Sequence, residues 1–497
     1  MKFALDGEMS AKVDDYTINT MGVPSVVLME RAAYEVASKT AQIAMSFTRK
    51  VRICVVCGNG NNGADGVAVS RILTWQGLPV DIIMADVEGH HTKEMELQLN
   101  IATNSSIRFA HINDIPEYDI VIDALFGIGL SRDITGKYAQ ITGMINESRN
   151  VVISIDIPSG INAATGQIMG IAVRADATVT FGYNKIGMML YPGKKYSGDI
   201  TVADIGFCKD ALLQINPAIY YIPEDIDGIP ERIADSNKGT YGRTLVIAGS
   251  ESMSGAAYMS AAAAYRTGSS YVEILSTENN CNILKTLLPE AVVTAYNSEN
   301  FRDILINAVS RADTIILGPG LSTDAIAGQI VEITVEKAEV PVIIDADAIN
   351  ILAKNDDILK KHKSPVIITP HMGEAKRLSG LSIDELKADR VMAAREISDR
   401  YNIVCVLKDS STVVACNNKV YINNSGCGAM SKAGMGDVLT GVIASMSALG
   451  YNIMTAATMG VYVHGLAGEL AAEKMGEHSV VATDMLDVLG KVMEKRK

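Results

Sequence analysis

Val51-Arg-Ile-Cys-Val-Val-Cys57 runs directly into Gly58-Asn-Gly60-Asn-Asn-Gly63-Ala-Asp-Gly66, and that join decides the fold. A short apolar run biased toward Val and Ile reads as a buried strand. Gly58, Gly60 and Gly63 then match G-x-G-x-x-G, and a helical stretch from Val67 to Trp75 follows. Strand, glycine turn and helix open a βαβ unit, and Asp86 ends the next strand; on pattern alone this is a dinucleotide-binding turn. The filling of the turn departs from that pattern. Asn61, Asn62 and Asp65 make it rich in polar oxygens where small apolar residues would let a backbone approach pyrophosphate.

The same rhythm extends outward. Strands are expected at 51–57, 80–85, 119–125, 151–157 and 177–182, with helices between them, such as Lys93 to Thr103. Residues 8–45 read as helices broken at Gly22-Val23-Pro24. The pattern lapses between about 208 and 238, where Pro223-Glu-Asp-Ile-Asp-Gly-Ile-Pro230 is acidic and full of breakers. It restarts with strands at 244–248, 271–275, 313–317, 342–345, 366–369 and 403–407. The fold class is therefore α/β, with parallel sheets covered by helices and two domains, 1–215 and 222–497.

Composition limits the function. The 497 residues carry 44 Lys and Arg against 57 Asp and Glu, a net charge of −13. A chain this acidic is a poor general binder of nucleic acid, which needs clustered cations to release counterions. The N-terminus has early acids and no apolar core, so no signal peptide is expected and a cytoplasmic protein is. Val438 to Leu466 lacks Asp, Glu, Lys and Arg, but Gly450-Tyr451-Asn452 interrupts it. Two buried helices are expected there rather than a membrane span. Cys54 and Cys57 resemble a redox or zinc pair, yet on a strand their i, i+3 spacing sends the sulfurs to opposite faces. Reduced buried thiols are the expectation.

Three strand ends in the first half carry polar residues: Asn61 to Asp65, then Asp123 with Gly127-Ile128-Gly129-Leu130-Ser131-Arg132-Asp133, then Asp156-Ile-Pro-Ser159-Gly160. In an open α/β sheet such ends meet at one crevice. Asn62, Asp123 and Ser159 offer hard oxygen ligands to a cation, and Asp156 is a nearby acid or base. Each Asp alone would equally serve as a cap or turn residue. These motifs, with Gly22-Val-Pro24 and Leu28-Met-Glu30-Arg-Ala, resemble the NAD(P)HX epimerase family over about residues 1–210. The resemblance implies a Rossmann-like domain that interconverts the R and S epimers of hydrated NADH or NADPH. By it, Asn61, Asn62, Gly63, Ala64, Asp65, Gly127 to Asp133 and Asp156 contact the substrate, and Asn62, Asp123 and Ser159 hold K+. Ala64 stands where the family more often has Gly.

The second half carries Gly426-Cys427-Gly428-Ala429-Met430-Ser431-Lys432-Ala433-Gly434-Met435-Gly436-Asp437 before an apolar helix. Glycines at a helix start turn several N–H groups toward one point, which suits a phosphate. Asp437 is placed to take a proton from a substrate hydroxyl. Upstream lie Gly318-Pro-Gly320, Asp345-Ala-Asp347, Thr369-Pro370-His371-Met372-Gly373-Glu374-Ala375-Lys376-Arg377 and Lys408-Asp409-Ser410-Ser411-Thr412. With Lys238-Gly239, Gly249-Ser250 and Gly255-Ala256, these resemble the ribokinase-like ADP- or ATP-dependent NAD(P)HX dehydratases over about 225–495. By the resemblance, Gly255, Ala256, Gly320, His371 to Arg377 and Asp437 face the hydrated dinucleotide, and Lys408 to Thr412 and Cys427 to Gly436 face ADP or ATP. Mg²⁺ at the carboxylate strand end is expected with the nucleotide. Asp409, Met435 and Met372 depart from the family's usual Gly, Ser or Thr, and Pro.

Together the halves are similar to the bifunctional NAD(P)H-hydrate repair enzymes, in which the first domain scrambles the epimers and the second dehydrates the S form. A homo-oligomer acting on a small molecule, away from nucleic acid and membranes, is expected. The alternatives are an NAD-dependent dehydrogenase, a ribokinase-like small-molecule kinase fused to a nucleotide-binding domain, and a first domain that binds without catalysis.

Overall fold

A computed structural model describes residues 2–86, 90–222 and 232–494. The Pro223–Pro230 boundary lies outside the described residues. The chain splits into two compact units, Phe3–Ile219 and a second made of Tyr220 onward together with Lys2.

The first unit opens with β1 (Lys2–Leu5) and a helix Gly7–Asp15, capped by the Asp6 carboxylate on Met9 N–H at 2.7 Å. A wider π-type turn at Tyr16–Thr20 leads to Gly22-Val23-Pro24, and the helix Ser25–Ala44 follows. Strands β2 (Ile53–Cys57), β3 (Val80–Met84), β4 (Arg108–Phe109), β5 (Ile120–Ala124), β6 (Val151–Ile155), β7 (Ala177–Phe181), β8 (Asn184–Lys185) and β9 (Asp199–Ala203) complete the unit's strands up to residue 203. Seven of them form a parallel sheet in the order β4-β3-β2-β5-β6-β7-β9. Side-chain alternation along β2 divides the core: Ile53, Val55 and Cys57 pack on one face, and Cys54 and Val56 on the other. Cys54 and Cys57 are free thiols, and burial raises both pKa values.

A short strand β10 (Ile219–Tyr221) lies where the chain passes from one unit to the next. In the second unit come β11 (Arg243–Ile247), β12 (Tyr271–Thr277), β13 (Val292–Tyr296), β14 (Thr314–Leu317), β15 (Val342–Ile344), β16 (Val366–Ile368), β17 (Val404–Leu407), β18 (Val413–Cys416) and β19 (Lys419–Ile422). The order is β13-β12-β11-β14-β15-β16-β17-β18-β19, parallel as far as β17 and then antiparallel. The uncharged stretch near the end forms two helices, Met435–Ala448 and Ile453–Met475, broken at Gly450. Among the described residues, no helix is long and apolar enough to cross a membrane.

Strands β4, β9, β13, β18 and β19 lie outside those expected from sequence, and two differences have a plain local cause. The helix after the glycine turn begins at Asn61, not Val67, because Gly60 is its cap. The hairpin β18-β19 turns on Asn417, at φ +52°, and Asn418. That two-residue Asn turn is a hairpin signal that the βαβ rhythm obscured.

Candidate active sites

In the first unit the strand-end clusters converge because neighbouring parallel strands end in register. Gly58 is required: a Cβ there would collide with the Leu125 carbonyl. Gly60 faces open space, and with no side-chain cap the first amides of the long helix Asn61–Trp75 stay unclaimed by a cap. That is an anion-receptive terminus. Asn61, Asn62 and Gly63 are its first three residues, and Gly127 comes close to the Asn62 amide. Ala64 is fully buried in the core beneath. Ile128 turns its carbonyl toward Gly7 of the N-terminal helix, while Gly129, Ser131, Arg132 and Asp133 lie exposed along the loop and Leu130 N–H bonds Gly127.

Asp123 is fully buried. Its carboxylate accepts from Ser154 Oγ at 2.8 Å, Ser159 Oγ at 2.6 Å and Ser159 N–H at 2.9 Å. Burial pushes its pKa up against these neutral donors. Asp156 sits at φ +66°, a backbone strain that turns its side chain out of the strand line. Its Oδ1 accepts from Lys185 Nζ at 2.7 Å, Thr180 Oγ1 at 3.1 Å and Phe181 N–H at 3.3 Å. Lys185 is itself buried and donates further to Thr180 Oγ1 and the Tyr183 carbonyl. Asp65 is the opposite case. Burial, with the charges of Asp156 and Asp14 nearby, holds its carboxyl well above the ordinary range. The crevice therefore sets the ion-paired Asp156 near a carboxyl group that burial raises well above the ordinary range.

Sequence reasoning missed Lys185 and Asp14. The signal for Lys185 was a single cation in the otherwise apolar surroundings of Ile186–Leu190. For Asp14 there was only its place on the first helix.

In the second unit, Asp345 follows β15, Thr369 follows β16 and Lys408 follows β17, side by side in the parallel sheet. Asp345 Oδ1 accepts from Lys408 Nζ and from Thr369 Oγ1, both at 2.7 Å. Ala346 takes a left-handed φ of +51° to make that turn. Gly434, at φ +88°, caps the helix Met435–Ala448 and leaves no room for a Cβ against Met259 and Ala482. Gly436 lies over the Lys408–Asp345 pair. Asp437 is the third residue of the helix. Burial first, then Asp345, pushes its carboxyl up to about 7, with Lys408 opposing. Glu374 is likewise pushed up to about 7, chiefly by burial. Burial alone would lower Lys408, but Asp345, Glu374 and Asp437 together raise it. One ammonium thus serves three carboxyl groups.

His371 caps the helix Met372–Ser379, its Nδ1 accepting from Gly373 N–H at 2.9 Å while Glu374 returns to His371 N–H at 2.9 Å. Ala375 is buried beneath, Lys376 is exposed, and Arg377 Nε reaches Asn350 at 3.1 Å. Gly320 packs on Ala256, and Gly255 stands in open space at the start of the helix Ser254–Thr267. The loop Gly426–Gly434 is pinned from behind. Gly426 N–H bonds Glu469 at 2.7 Å, Cys427 Sγ approaches the Gly468 carbonyl, and Lys432 Nζ holds the His478 and Val480 carbonyls at 2.6 Å. Ala429 is buried, while Gly428, Ser431 and Ala433 are exposed, and Met430 packs on Gly468.

The departures acquire physical reasons. Asp409 turns to Arg390 Nε at 2.6 Å, a pairing not foreseen from sequence, while Ser410 is exposed and Ser411 buried beside it. Thr412 Oγ1 bonds the Asp409 carbonyl at 3.3 Å. Met435 is buried, so its thioether packs and only its backbone faces the loop.

Comparison with known proteins agrees with this division. Residues 25–187 match the family described as YjeF-related protein N-terminus, and residues 244–491 match NAD(P)H-hydrate dehydratase. The bifunctional NAD(P)H-hydrate repair enzyme of Thermofilum pendens is 33% identical over 99% of this chain and 96% of its own. That of Escherichia coli is 32% identical over 88% and 84%. The solved ADP/ATP-dependent NAD(P)H-hydrate dehydratase of Bacillus subtilis, co-crystallised with ATP and Mg²⁺, is 34% identical, covers 53% of this chain and 94% of its own, with a TM-score of 0.47. Matched from end to end by such relatives, the chain belongs to the bifunctional NAD(P)H-hydrate repair enzyme family.

Proposed function

We propose that the chain repairs hydrated NADH and NADPH in two steps: residues 1–215 interconvert the R and S epimers, and residues 222–497 dehydrate the S form at the expense of ADP or ATP. The observation that carries the second step is Asp437. Its carboxyl, pushed up to about 7, stands at the start of a helix beside Lys408. A group poised near neutrality is a competent general base.

Hydroxide is a poor leaving group. Asp437 takes the proton of the C6 hydroxyl as its oxygen attacks the terminal phosphorus of the nucleotide, and the Gly434–Gly436 amides stabilise the transferring phosphoryl group. Phosphate then leaves C6, expelled by the ring nitrogen lone pair, and the resulting iminium loses a C5 proton to the departing phosphate, which restores the C5–C6 double bond. Lys408 neutralises charge around Asp345 and the phosphates. Mg²⁺ held through the nucleotide phosphates would supply further positive charge to the transferring phosphoryl group. Among the described residues there is no cluster of three or more His, Cys, Asp or Glu able to cage a metal. Asp345 is held by Lys408 and Thr369, and Asp347 accepts from Ser322 N–H at 2.9 Å.

In the first unit, C6 is a carbon bearing both hydroxyl and ring nitrogen. Asp65, whose carboxyl burial raises well above the ordinary range, is the acid that donates a proton to the departing hydroxyl as the ring nitrogen lone pair expels water. Water returns to the other face of the ring, and Asp156, ion-paired with Lys185, accepts its proton. K+ fits beside this chemistry. Among the described residues, the donors that the buried Asp123 carboxylate accepts from are neutral, and Asn62 Nδ2 is buried without a partner. Turning that amide round presents an oxygen instead. Asn62, Asp123 and Ser159 would hold the ion, whose charge supports the ionised form of Asp123.

The test is incubation with purified R and S hydrates and either ADP or ATP, following return of the dihydronicotinamide absorbance band. Expected are nucleotide-dependent recovery from S, with phosphate released in step, and recovery from R through prior epimerisation. A stable phosphorylated product would instead support the kinase reading.

A further inference from the structure

The epimerase reading places the hydrated ring and leaves the far half of the dinucleotide without a seat. The strand order β4-β3-β2-β5-β6 puts Asp156 at the end of β6 and the glycine turn at the end of β2. Continuing in that direction, the next strand ends belong to β3 and β4. A cavity of about 430 Å³ lies there. Met84 ends β3, Phe109 ends β4, and Leu99 comes from the helix Lys93–Asn104. His91, His111 and Lys137 add polar groups, and among the described residues no carboxylate lines the cavity.

Three observations point to a ligand. The lining is mostly apolar with a few polar groups, the make-up of a small-molecule site. His91 Nε2 is buried with no hydrogen-bond partner among the described residues, a group that costs free energy unless something pairs it. The cavity wall is also seated on the glycine turn: Thr92 N–H bonds the Asn59 carbonyl at 3.4 Å, and Met95 of the Leu99 helix packs into the space beside Gly63. Strands lie ~4.8 Å apart, so β6 to β3 is roughly 14 Å, a reach suited to an extended dinucleotide whose pyrophosphate crosses the helix terminus at Asn61. Another cavity of the unit, of about 410 Å³, lies by Asp119 and Val151, at the strand starts, where Arg49 already pairs with Asp119. Ligands of open α/β sheets bind at the opposite, carboxyl ends.

We propose that the cavity at the ends of β3 and β4 receives the adenosine half of the hydrated coenzyme during epimerisation. The proposal rests on the epimerase reading. The purine lies against Phe109 and Leu99, and His91 Nε2 meets a polar edge of the nucleoside.

Thr103 lines the cavity from an exposed helix position, so Thr103→Trp fills the space with little strain on the fold. In the full chain, the KM of R-to-S conversion should rise at least tenfold with kcat within twofold. ADP-ribose carries the adenosine half without nicotinamide. It should inhibit the wild-type epimerase competitively and lose potency by a similar factor against the variant. Unchanged KM and unchanged ADP-ribose inhibition overturn the assignment, as does a fall in kcat alone. If Thr103→Trp leaves no measurable epimerisation, the milder His91→Ala decides by the same criteria. A wild-type chain without any epimerase activity would instead defeat the underlying reading and leave nothing for this variant to alter.

Discussion

The two units solve a similar geometric problem with opposite charge arrangements. Each sets polar residues at the ends of parallel strands and aims a long helix terminus at them, Asn61–Trp75 in one and Met435–Ala448 in the other. In the first, a buried lysine is committed to one carboxylate, Lys185 to Asp156. Burial, with Asp156 and Asp14 nearby, meanwhile raises the Asp65 carboxyl well above the ordinary range. In the second, Lys408 bonds Asp345 at 2.7 Å, is also influenced by Glu374 and Asp437, and only partly opposes the burial and the Asp345 charge that push Asp437 up to about 7. Epimerisation needs an acid and a base at once. Phosphoryl transfer needs one base and a positive field. How burial and one ammonium act on the carboxyl groups separates the two chemistries.

The comparison breaks most severely at Asp437. Asp437→Asn should lower dehydration of the S epimer by about 10³–10⁴-fold, while R/S interconversion without nucleotide stays within twofold. Near-normal dehydration would remove Asp437 as the base. The reciprocal change, Asp156→Ala, should slow consumption of the R epimer by about 10²–10³-fold and leave the S epimer untouched. Equal loss on both substrates would make Asp156 structural.

Lys185→Met tests the committed ion pair. It strands Asp156 in a buried site, and breaking such a pair costs about 3–5 kcal/mol. The midpoint of denaturant unfolding for the first unit should fall accordingly, with epimerisation lost and dehydration of S retained. The smallest effect is a pH dependence. The folded-state carboxyl of Asp437 lies near 7 rather than at its ordinary 3.8, so below about 7 it is increasingly protonated and unable to accept a proton. Dehydration kcat should fall about tenfold per pH unit on the acid side and level off above it. A profile flat down to pH 5 would contradict the raised Asp437 carboxyl.

Much of this was legible in the residues. The run Val51–Cys57 with Gly58–Gly66 specifies a strand, a tight turn and a helix, because β-branched side chains suit a buried strand and a Cβ at Gly58 has nowhere to go. The opposite-face placement of Cys54 and Cys57 follows from the two-residue repeat of a strand. Asp156, Asp345 and Lys408 stood out because polar residues at the ends of apolar strands have few other reasons to be there, and Asp437 because it follows a run of glycines at a helix start. Lys185 and Arg390 were not. Their partners, Asp156 and Asp409, lie 29 and 19 residues away, and nothing local marks a cation as buried.

The sequence by itself determined the alternation of strands and helices, the glycine turns and the polar strand ends, since these follow from local sterics and hydrophobic periodicity. Only the tertiary structure decided which carboxyl groups are raised above the ordinary range. That depends on burial and on which ammonium lies within a few ångströms, and both arise when strands distant in sequence are brought side by side.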